Sequence, residues 1–160
     1  QLKKWVLSRR DSAVMIAKIE ASLGLTLSLS KSAQADCAEP EAGVVFVRLD
    51  EYEFVQSGDS FFPYLGSQAS LALFPAVVVD EGAIKFLING ADVMRPGIRK
   101  MDDWGDAGKL VVVKEEKKGR AIAVGPTSVS GAQAAATSRG ECVKNLHHVG
   151  DRYWNAHKAI

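Results

Sequence analysis

Residues 77–98 read Val-Val-Val-Asp-Glu-Gly-Ala-Ile-Lys-Phe-Leu-Ile-Asn-Gly-Ala-Asp-Val-Met-Arg-Pro-Gly-Ile, and this stretch decides the fold of the second half of the chain. The three valines at 77–79 favour a strand, and Asp80 can accept hydrogen bonds from the N–H groups that open a helix. Asn89-Gly90 predicts a left-handed exit from that short helix, because glycine adopts positive φ without a steric penalty. A second strand over residues 91–94 is expected next.

A turn at Pro96-Gly97 should follow this strand. Its composition is typical of a type II turn, in which proline presets φ and glycine takes φ > 0 at the next position. The turn would hold Arg95, Arg99 and Lys100 on a stiff surface, and Lys85 on the preceding helix adds a fourth cation. Such a surface is suited to phosphate contacts. The alternative is a turn that only the fold requires, with solvated charges around it.

A second block, residues 140–154, reads Gly-Glu-Cys-Val-Lys-Asn-Leu-His-His-Val-Gly-Asp-Arg-Tyr-Trp. Together with residues 77–98 it resembles a PUA domain, the RNA-binding module named for pseudouridine synthases and archaeosine transglycosylases. The helix start at 80–86, the Arg-Pro-Gly-Ile turn and the terminal Leu-His…Gly-Asp…Trp are most similar to the archaeal and eukaryotic group that includes the malignant T-cell amplified protein and ligatin. Residues 1–76 correspond more loosely to the small α/β domain that precedes the PUA module in that group.

The resemblance implies an α+β fold: a small N-terminal α/β pre-PUA domain over residues 1–75, then a PUA β-pseudobarrel with short helices over residues 76–160. PUA domains bind RNA through the first helix and the strand after it. The implied RNA-binding residues are therefore Lys85, Asn89, Gly90, Arg95, Pro96, Gly97, Arg99 and Lys100. The implied site contains no catalytic residue, metal or cofactor.

The function implied by the resemblance is that of a non-enzymatic RNA-binding protein of translation. Relatives of this kind contact the small ribosomal subunit or the acceptor end of tRNA, in non-standard initiation, reinitiation or tRNA release. The implied partners are tRNA or rRNA and a translation factor similar to density-regulated protein. The chain departs from the pattern at residues 131–137, which lack acidic side chains, and this bears on partner contacts there. The alternative is an RNA-targeting accessory subunit of a tRNA or rRNA modification or ribosome-biogenesis system.

Composition sets broader bounds. With 160 residues and 47% hydrophobic content, the chain can bury a core as one domain or two small ones. A net charge of +1 means that any RNA contact must use a local patch. No apolar run is long enough for a membrane span, and the basic residues 1–10 lack the hydrophobic segment of a secretory signal, so a cytoplasmic location is expected. Cys37 and Cys142 form no CxxC pair, which favours reduced thiols.

The rest of the chain carries shorter signals. Ser8 with Asp11 predicts the start of a helix that Gly24 ends, and residues 25–30 alternate as in a half-buried strand. Residues 31–43 read as a loop. The remaining predictions are a hairpin of strands 44–49 and 52–55, a hairpin of strands 109–115 and 120–125, a helix from Ser130 to Gly140 and a closing strand at 142–146.

Two other features do not predict catalysis or metal binding. Arg48-Leu49-Asp50 is similar to the segment around the catalytic aspartate of some pseudouridine synthases, but it lacks the preceding glycine and a catalytic domain around it. Asp50 is therefore interpreted as a strand-end residue. Cys142, His147 and His148 have no metal-ligand spacing, and a structural role is favoured for each.

Overall fold

The computed structural model describes all residues from 1 to 160, and the chain divides into two compact units. The first unit comprises residues 1–73 with 155–160, and the second comprises residues 74–154. The domain boundary near Pro75 stays a prediction; it assigned residues 155–160 to the second domain, whereas the structure groups them with the first unit. No helix has both the length and the apolarity needed to cross a membrane.

The first unit contains a five-stranded antiparallel sheet whose strands follow one another in chain order. The strands are β1 Lys3–Val6, β2 Asp36–Glu41, β3 Val44–Leu49, β4 Tyr52–Ser57 and β5 Ser60–Pro63. The helices are α1 Arg9–Leu23 and α2 Gln68–Leu71. Both faces of the sheet are buried near its centre, with Val47 and Phe54 on one face and Phe46 and Val55 on the other.

Local signals in the first unit are confirmed. The Ser8 hydroxyl accepts a hydrogen bond from the Asp11 N–H at 3.0 Å, and Gly24 ends α1 in the left-handed region at φ 64°. The β3–β4 hairpin turns at Asp50-Glu51. Asp50 takes φ 54°, and its carboxylate accepts from the Ser30 N–H at 2.7 Å. Asp50 therefore has a structural role in the turn.

The strand predicted at residues 25–30 is wrong. Burial does alternate, since Leu27 is buried and its neighbours are exposed. However, the Leu27 N–H donates to the Glu20 carboxylate at 2.7 Å, and the Ser30 N–H donates to Asp50. Because side chains satisfy these backbone groups, no ladder forms here. The alternation reports one-sided burial only.

The loop predicted at residues 31–43 is also wrong in part, because it contains β2. Pro40 suggested a loop, since it cannot donate to a ladder. The structure places it inside β2, where the register with β3 shifts between Ala38 and Glu41. An irregularity of this kind is where a sheet tolerates proline. β1 pairs with the other edge of β2. No strand was predicted there.

The second unit has a five-stranded sheet in the order β12-β10-β9-β6-β8 and a two-stranded sheet of β11 and β7. The strands are β6 Ala76–Val79, β7 Val93–Met94, β8 Ile98–Met101, β9 Leu110–Glu115, β10 Ala121–Pro126, β11 Glu141–Val143 and β12 His147–His148. The helices are α3 Ile84–Leu87 and α4 Gly131–Ala136; α5 Arg152–His157 begins in this unit and ends among residues grouped with the first. This is the mixed architecture of a PUA pseudobarrel, as predicted.

The predicted β9–β10 hairpin and the Ser130 cap of α4 are confirmed. α4 ends at Ala136, earlier than predicted. The single closing strand at 142–146 is wrong, because the chain leaves one sheet after β11 and joins the other at β12. Between these strands the Lys144 carbonyl passes so close to Gly125 that a Cβ there would lie 1.6 Å from its oxygen. Gly125 is thus required by this crossing.

The two predicted glycine turns of the second unit differ in the backbone conformation of the glycine. Gly90 has φ 94°, which confirms the left-handed exit after α3. The type II turn at Pro96-Gly97 is wrong: Arg95–Gly97 form a 3-10 turn, in which the Ile98 N–H donates to the Arg95 carbonyl, and Gly97 does not take positive φ. The fixed φ of proline suits a helical turn as well as a type II turn, so composition alone could not separate them.

A buried carboxylate organises the β9–β10 hairpin. Glu115 is fully buried and accepts from the Lys118 N–H at 2.7 Å and from Arg120 Nε at 2.9 Å. These hydrogen bonds, led by that from Lys118, lower the pKa of Glu115 from 4.5 to about 2. The folded protein therefore stabilises the ionised carboxylate of Glu115.

The buried groups near the end of the second unit are similarly paired. His147 Nδ1 lies 2.9 Å from an Asp151 carboxylate oxygen, and the same carboxylate accepts from the Trp154 N–H. Burial opposes ionisation, yet these hydrogen bonds lower the pKa of Asp151 overall.

Cys37 and Cys142 are buried free thiols, and burial raises the pKa of Cys37 to about 11.

Gly90→Ala and Gly97→Ala test the two turns against each other. Gly90→Ala should lower the free energy of unfolding by about 1–2 kcal/mol, since alanine is strained at positive φ. Gly97→Ala should shift it by less than about 0.5 kcal/mol, because the added Cβ meets open space. Urea unfolding of both variants measures the difference; a larger loss for Gly97→Ala would contradict the 3-10 turn.

The pKa of Glu115 predicts an acid-sensitive fold. A carboxylate whose pKa is lowered on folding stabilises the protein above its unfolded pKa, and this contribution is lost as pH falls from 4.5 toward about 2. Glu115→Gln should therefore be less stable than wild type at neutral pH, and the gap should narrow through that interval. Melting temperatures against pH measure it. Asp106→Asn, at an exposed carboxylate that forms no ion pair, should keep the wild-type profile.

Candidate nucleic-acid interface

An apolar cleft of about 270 Å³ lies between α3, β7 and the Arg95–Gly97 turn. Its floor includes Val79, Leu87 and Val93, all of which belong to the buried core. Phe86 and Met94 line it from opposite elements, with exposures of 58% and 49%. Large apolar side chains at this exposure beside a concave floor mark a binding groove.

The start of α3 is set by Asp80. Its carboxylate accepts from the Gly82 N–H at 2.7 Å, which confirms the predicted cap and starts a 3-10 turn, Glu81–Ala83, that leads into α3. With only four residues, α3 buries one side chain fully, Leu87. Phe86 is turned outward by the same geometry, because adjacent residues on a helix point to different faces.

The far end of α3 is held by Asn145. Its side-chain NH₂ donates to the carbonyls of Leu87 and Ala91, each at 2.9 Å, and its backbone N–H donates to the Asp92 carboxylate at 2.8 Å. Asn145 therefore fixes the loop that closes the cleft. Sequence reasoning missed this residue, because its partners lie more than fifty positions earlier in the chain.

Asn89 and Gly90, both predicted RNA contacts, lie in this loop. The Asn89 amide donates to the Lys85 carbonyl at 2.7 Å and so satisfies a carbonyl at the end of α3. The Gly90 backbone is exposed, and a Cβ there would lie 3.8 Å from His148 Nε2. A ligand can approach this backbone closely.

Arg95 is placed differently from its prediction as an open phosphate contact. It is half-buried, and its Nε donates to the Ala134 carbonyl at 2.6 Å. That carbonyl belongs to the last turn of α4, where carbonyls lack helical partners and the dipole favours a cation. Arg95 therefore caps α4 and ties it to the 3-10 turn.

Arg99 is held in an ion-pair network. Its Nη2 lies 2.8 Å from the Asp80 carboxylate and its Nε lies 3.8 Å from Glu116. The Gly82 N–H and Arg99 together lower the pKa of Asp80. The charge of Arg99 is thus largely offset on the protein itself.

Two of the four predicted cations have neither an ion pair nor a side-chain hydrogen bond. Lys85 and Lys100 are both exposed, and Lys85 Nζ lies 5.2 Å from the centroid of the Phe86 ring. Lys100 lies on β8 opposite Val78. Pro96 is exposed and Gly97 lines the cleft. The structure therefore brings Lys85 and Phe86 together, and the RNA-binding role of the eight residues stays a prediction.

This arrangement can bind an unstacked base with its phosphate. Single-stranded nucleic acid is bound by aromatic side chains that stack on bases and by cations that contact the backbone. Phe86 offers a ring face and Lys85 a free ammonium beside it. No group of three or more His, Cys, Asp or Glu side chains lies close enough to hold a metal ion.

Comparison with known proteins identifies the second unit. The model of the PUA domain matches residues 75–149. The crystal structure of a hypothetical protein from Pyrococcus horikoshii superposes with a TM-score of 0.75 at 32% identity, covering 96% of this chain and 98% of that one. The predicted PUA resemblance and fold class are confirmed.

Among curated proteins, an uncharacterized protein of Methanocaldococcus jannaschii is 48% identical over 49% of this chain and 49% of its own length. Translation machinery-associated protein 20 of Saccharomyces cerevisiae is 29% identical over 79% of this chain and 75% of its own. Malignant T-cell-amplified sequence 1-B of Xenopus laevis is 30% identical over 64% of this chain and 59% of its own. The chain thus spans about half the length of the first of these relatives and more of the other two.

Arg95→Ala tests the structural role of this arginine. It should lower the free energy of unfolding by about 1–3 kcal/mol, because a charge-assisted hydrogen bond to a helix-end carbonyl is lost. Lys100→Ala is the matched control, because Lys100 lies on β8. It should shift the free energy of unfolding by less than about 0.5 kcal/mol. Equal stability of the two variants in urea unfolding would show that the Ala134 contact contributes nothing.

Proposed function

The chain belongs to the PUA-domain proteins, and from that premise we propose that it binds RNA in the cleft between α3 and β7. The observation that carries this proposal is the exposed Phe86 ring on the cleft wall, with the unpaired ammonium of Lys85 5.2 Å from its centroid. An apolar wall alone suits many ligands. An aromatic wall beside a free cation on a PUA domain favours a nucleotide.

The cleft favours a single unstacked nucleotide over a duplex surface. A base can stack against Phe86 and Met94, while its phosphate contacts Lys85 at the rim. The exposed backbone at Gly90 allows the sugar to approach the end of α3. Arg99 and Arg95 contribute less, because their guanidinium groups already bind Asp80 and the Ala134 carbonyl.

The wider role that we propose is in translation. The similarity to translation machinery-associated protein 20 of yeast supports it, as does the similarity to a malignant T-cell-amplified sequence protein. The RNA would then be the acceptor end of tRNA, rRNA of the small ribosomal subunit, or both, with activity in non-standard initiation, reinitiation or tRNA release. A factor similar to density-regulated protein is the proposed protein partner.

Crosslinking of the full chain to RNA in its own cells, followed by sequencing, tests this role. Enrichment at tRNA 3′ ends and small-subunit rRNA is the expected result. Enrichment at sites of RNA modification, together with a copurifying modification enzyme, would instead support an accessory subunit of a modification system. Crosslinks that map to no RNA above background would contradict RNA binding altogether.

Phe86→Ala tests the cleft directly. It should weaken binding of a single-stranded RNA by about tenfold or more, since stacking on one aromatic side chain contributes about 1–3 kcal/mol. Val14→Ala is the matched control, because Val14 is also an exposed apolar residue, at 51%, but lies on α1. Fluorescence anisotropy titrations measure both. Wild-type affinity in Phe86→Ala would remove the ring from the site.

A further inference from the structure

The first ten residues form a basic segment that the cleft does not use. Lys3, Lys4, Arg9 and Arg10 lie within it, and it contains no acidic residue. All four side chains are exposed, and none forms an ion pair. This contrasts with the region around the cleft, where Arg99 is paired with carboxylates.

The segment is held in a defined shape. Lys3 and Lys4 lie on β1, which is the edge strand of its sheet and is hydrogen-bonded only to β2. Arg9 and Arg10 open α1. Between the two elements, the Leu7 N–H donates to the Ala35 carbonyl at 2.9 Å. The Gln34 amide donates to the Leu7 carbonyl at 3.0 Å, so the connection is fixed at both backbone groups.

The position of the arginines opposes stability. A helix N-terminus carries a partial positive charge, and cations in the first turn are therefore unfavourable. Lysines on an edge strand protect it from pairing with other chains, which accounts for Lys3 and Lys4 in part. That explanation does not extend to Arg9 and Arg10. Asp11, in the same first turn, offsets only part of this cost. A local electrostatic cost without a structural return is typical of a functional surface.

An exposed aromatic ring lies on the same edge strand as Lys3 and Lys4. Trp5 is 37% exposed and pairs across the strand with Cys37, so its position along β1 is fixed by the ladder. Val6, which follows it, is 62% exposed. Side chains alternate along a strand, so Trp5 shares its face of β1 with Lys3, and Lys4 lies on the opposite face. Glu39 lies across from Lys3 in the ladder. An aromatic side chain beside exposed cations combines base stacking with phosphate contacts.

We propose that β1 and the first turn of α1 form a second RNA-binding surface, separate from the PUA cleft, in which Lys3, Lys4, Arg9 and Arg10 contact phosphates and Trp5 stacks on a base. The inference rests on the proposed function in one respect, namely that the ligand is RNA. Its residues belong to the other unit, so the two surfaces can be tested independently. A phosphate backbone carries one charge per nucleotide, which matches four unpaired cations better than a protein segment does.

The test is a titration of a fluorescein-labelled hairpin RNA with a single-stranded 3′ end against the full chain at several salt concentrations. One variant replaces Lys3, Lys4, Arg9 and Arg10 with Gln. The matched control replaces four other exposed, unpaired cations with Gln: Lys18, Lys31, Lys118 and Arg139. Both variants carry the same change in net charge.

The basic-segment variant should weaken binding by about tenfold or more, and the slope of log affinity against log salt should become shallower by about 2.8–3.6, because each of the four lost phosphate contacts removes about 0.7–0.9. The control should change both quantities much less. Melting temperature provides an independent check on folding, since removing Arg9 and Arg10 should leave stability unchanged or raise it. Trp5→Ala should weaken binding by about tenfold, and Trp5→Phe should restore most of it.

Equal weakening in the basic-segment variant and the control would overturn the proposal, because the effect would then be one of overall charge. An unchanged RNA affinity in the basic-segment variant would also overturn the proposal. This includes the case in which the variant loses binding only to polyglutamate, as a protein-like polyanion, or only to phosphatidylserine vesicles. The Phe86→Ala variant in the same titration separates the two sites. If it alone weakens binding, this proposal fails and the cleft stands; if the basic-segment variant alone does so, the cleft fails and this surface stands.

Discussion

The second unit depends on one strand, β6, which is hydrogen-bonded along both edges. It pairs in parallel with β9 and antiparallel with β8, and Val77 and Val79 on its inner face are fully buried. The segments that frame the cleft are fixed relative to it. The Asp80 N–H, just past its end, donates to the Gly97 carbonyl at 3.0 Å. The helix start and the 3-10 turn on the two sides of the cleft are therefore joined through the end of β6.

Asp80 extends this constraint to the charges. One carboxylate oxygen caps the 3-10 turn that begins α3, and the other binds Arg99 on β8. The same residue thus orients the helix and offsets the nearest guanidinium. Arg95 similarly caps the last turn of α4 through the Ala134 carbonyl. The two arginines that sequence reasoning proposed for RNA hold the scaffold of the cleft, whereas Lys85 and Phe86 remain exposed.

Whether a feature could be predicted depends on how far apart its interacting residues lie in the chain. Caps at Ser8, Asp80 and Ser130 were predicted because donor and acceptor lie within three residues of each other. The acceptor of Arg95 lies 39 positions away, and one partner of Asn145 lies 58 positions away, so no local pattern could show either contact. The strand predicted at residues 25–30 failed for the same reason: alternation reports which face is buried, and only a distant neighbour decides whether a ladder forms.

Net charge is a poor guide to which cations of this chain are available to a polyanion. The total of +1 hides a division between cations that stabilise the fold and cations that remain unpaired. Arg99 and Arg120 are bound to carboxylates, and pairing of this kind removes their counterions before any ligand arrives. Since affinity for a polyanion comes from counterions released on binding, only unpaired cations contribute fully. Lys85 and the four cations of residues 1–10 meet that condition; Phe86 lies beside Lys85, and Trp5 lies on the same strand as Lys3 and Lys4.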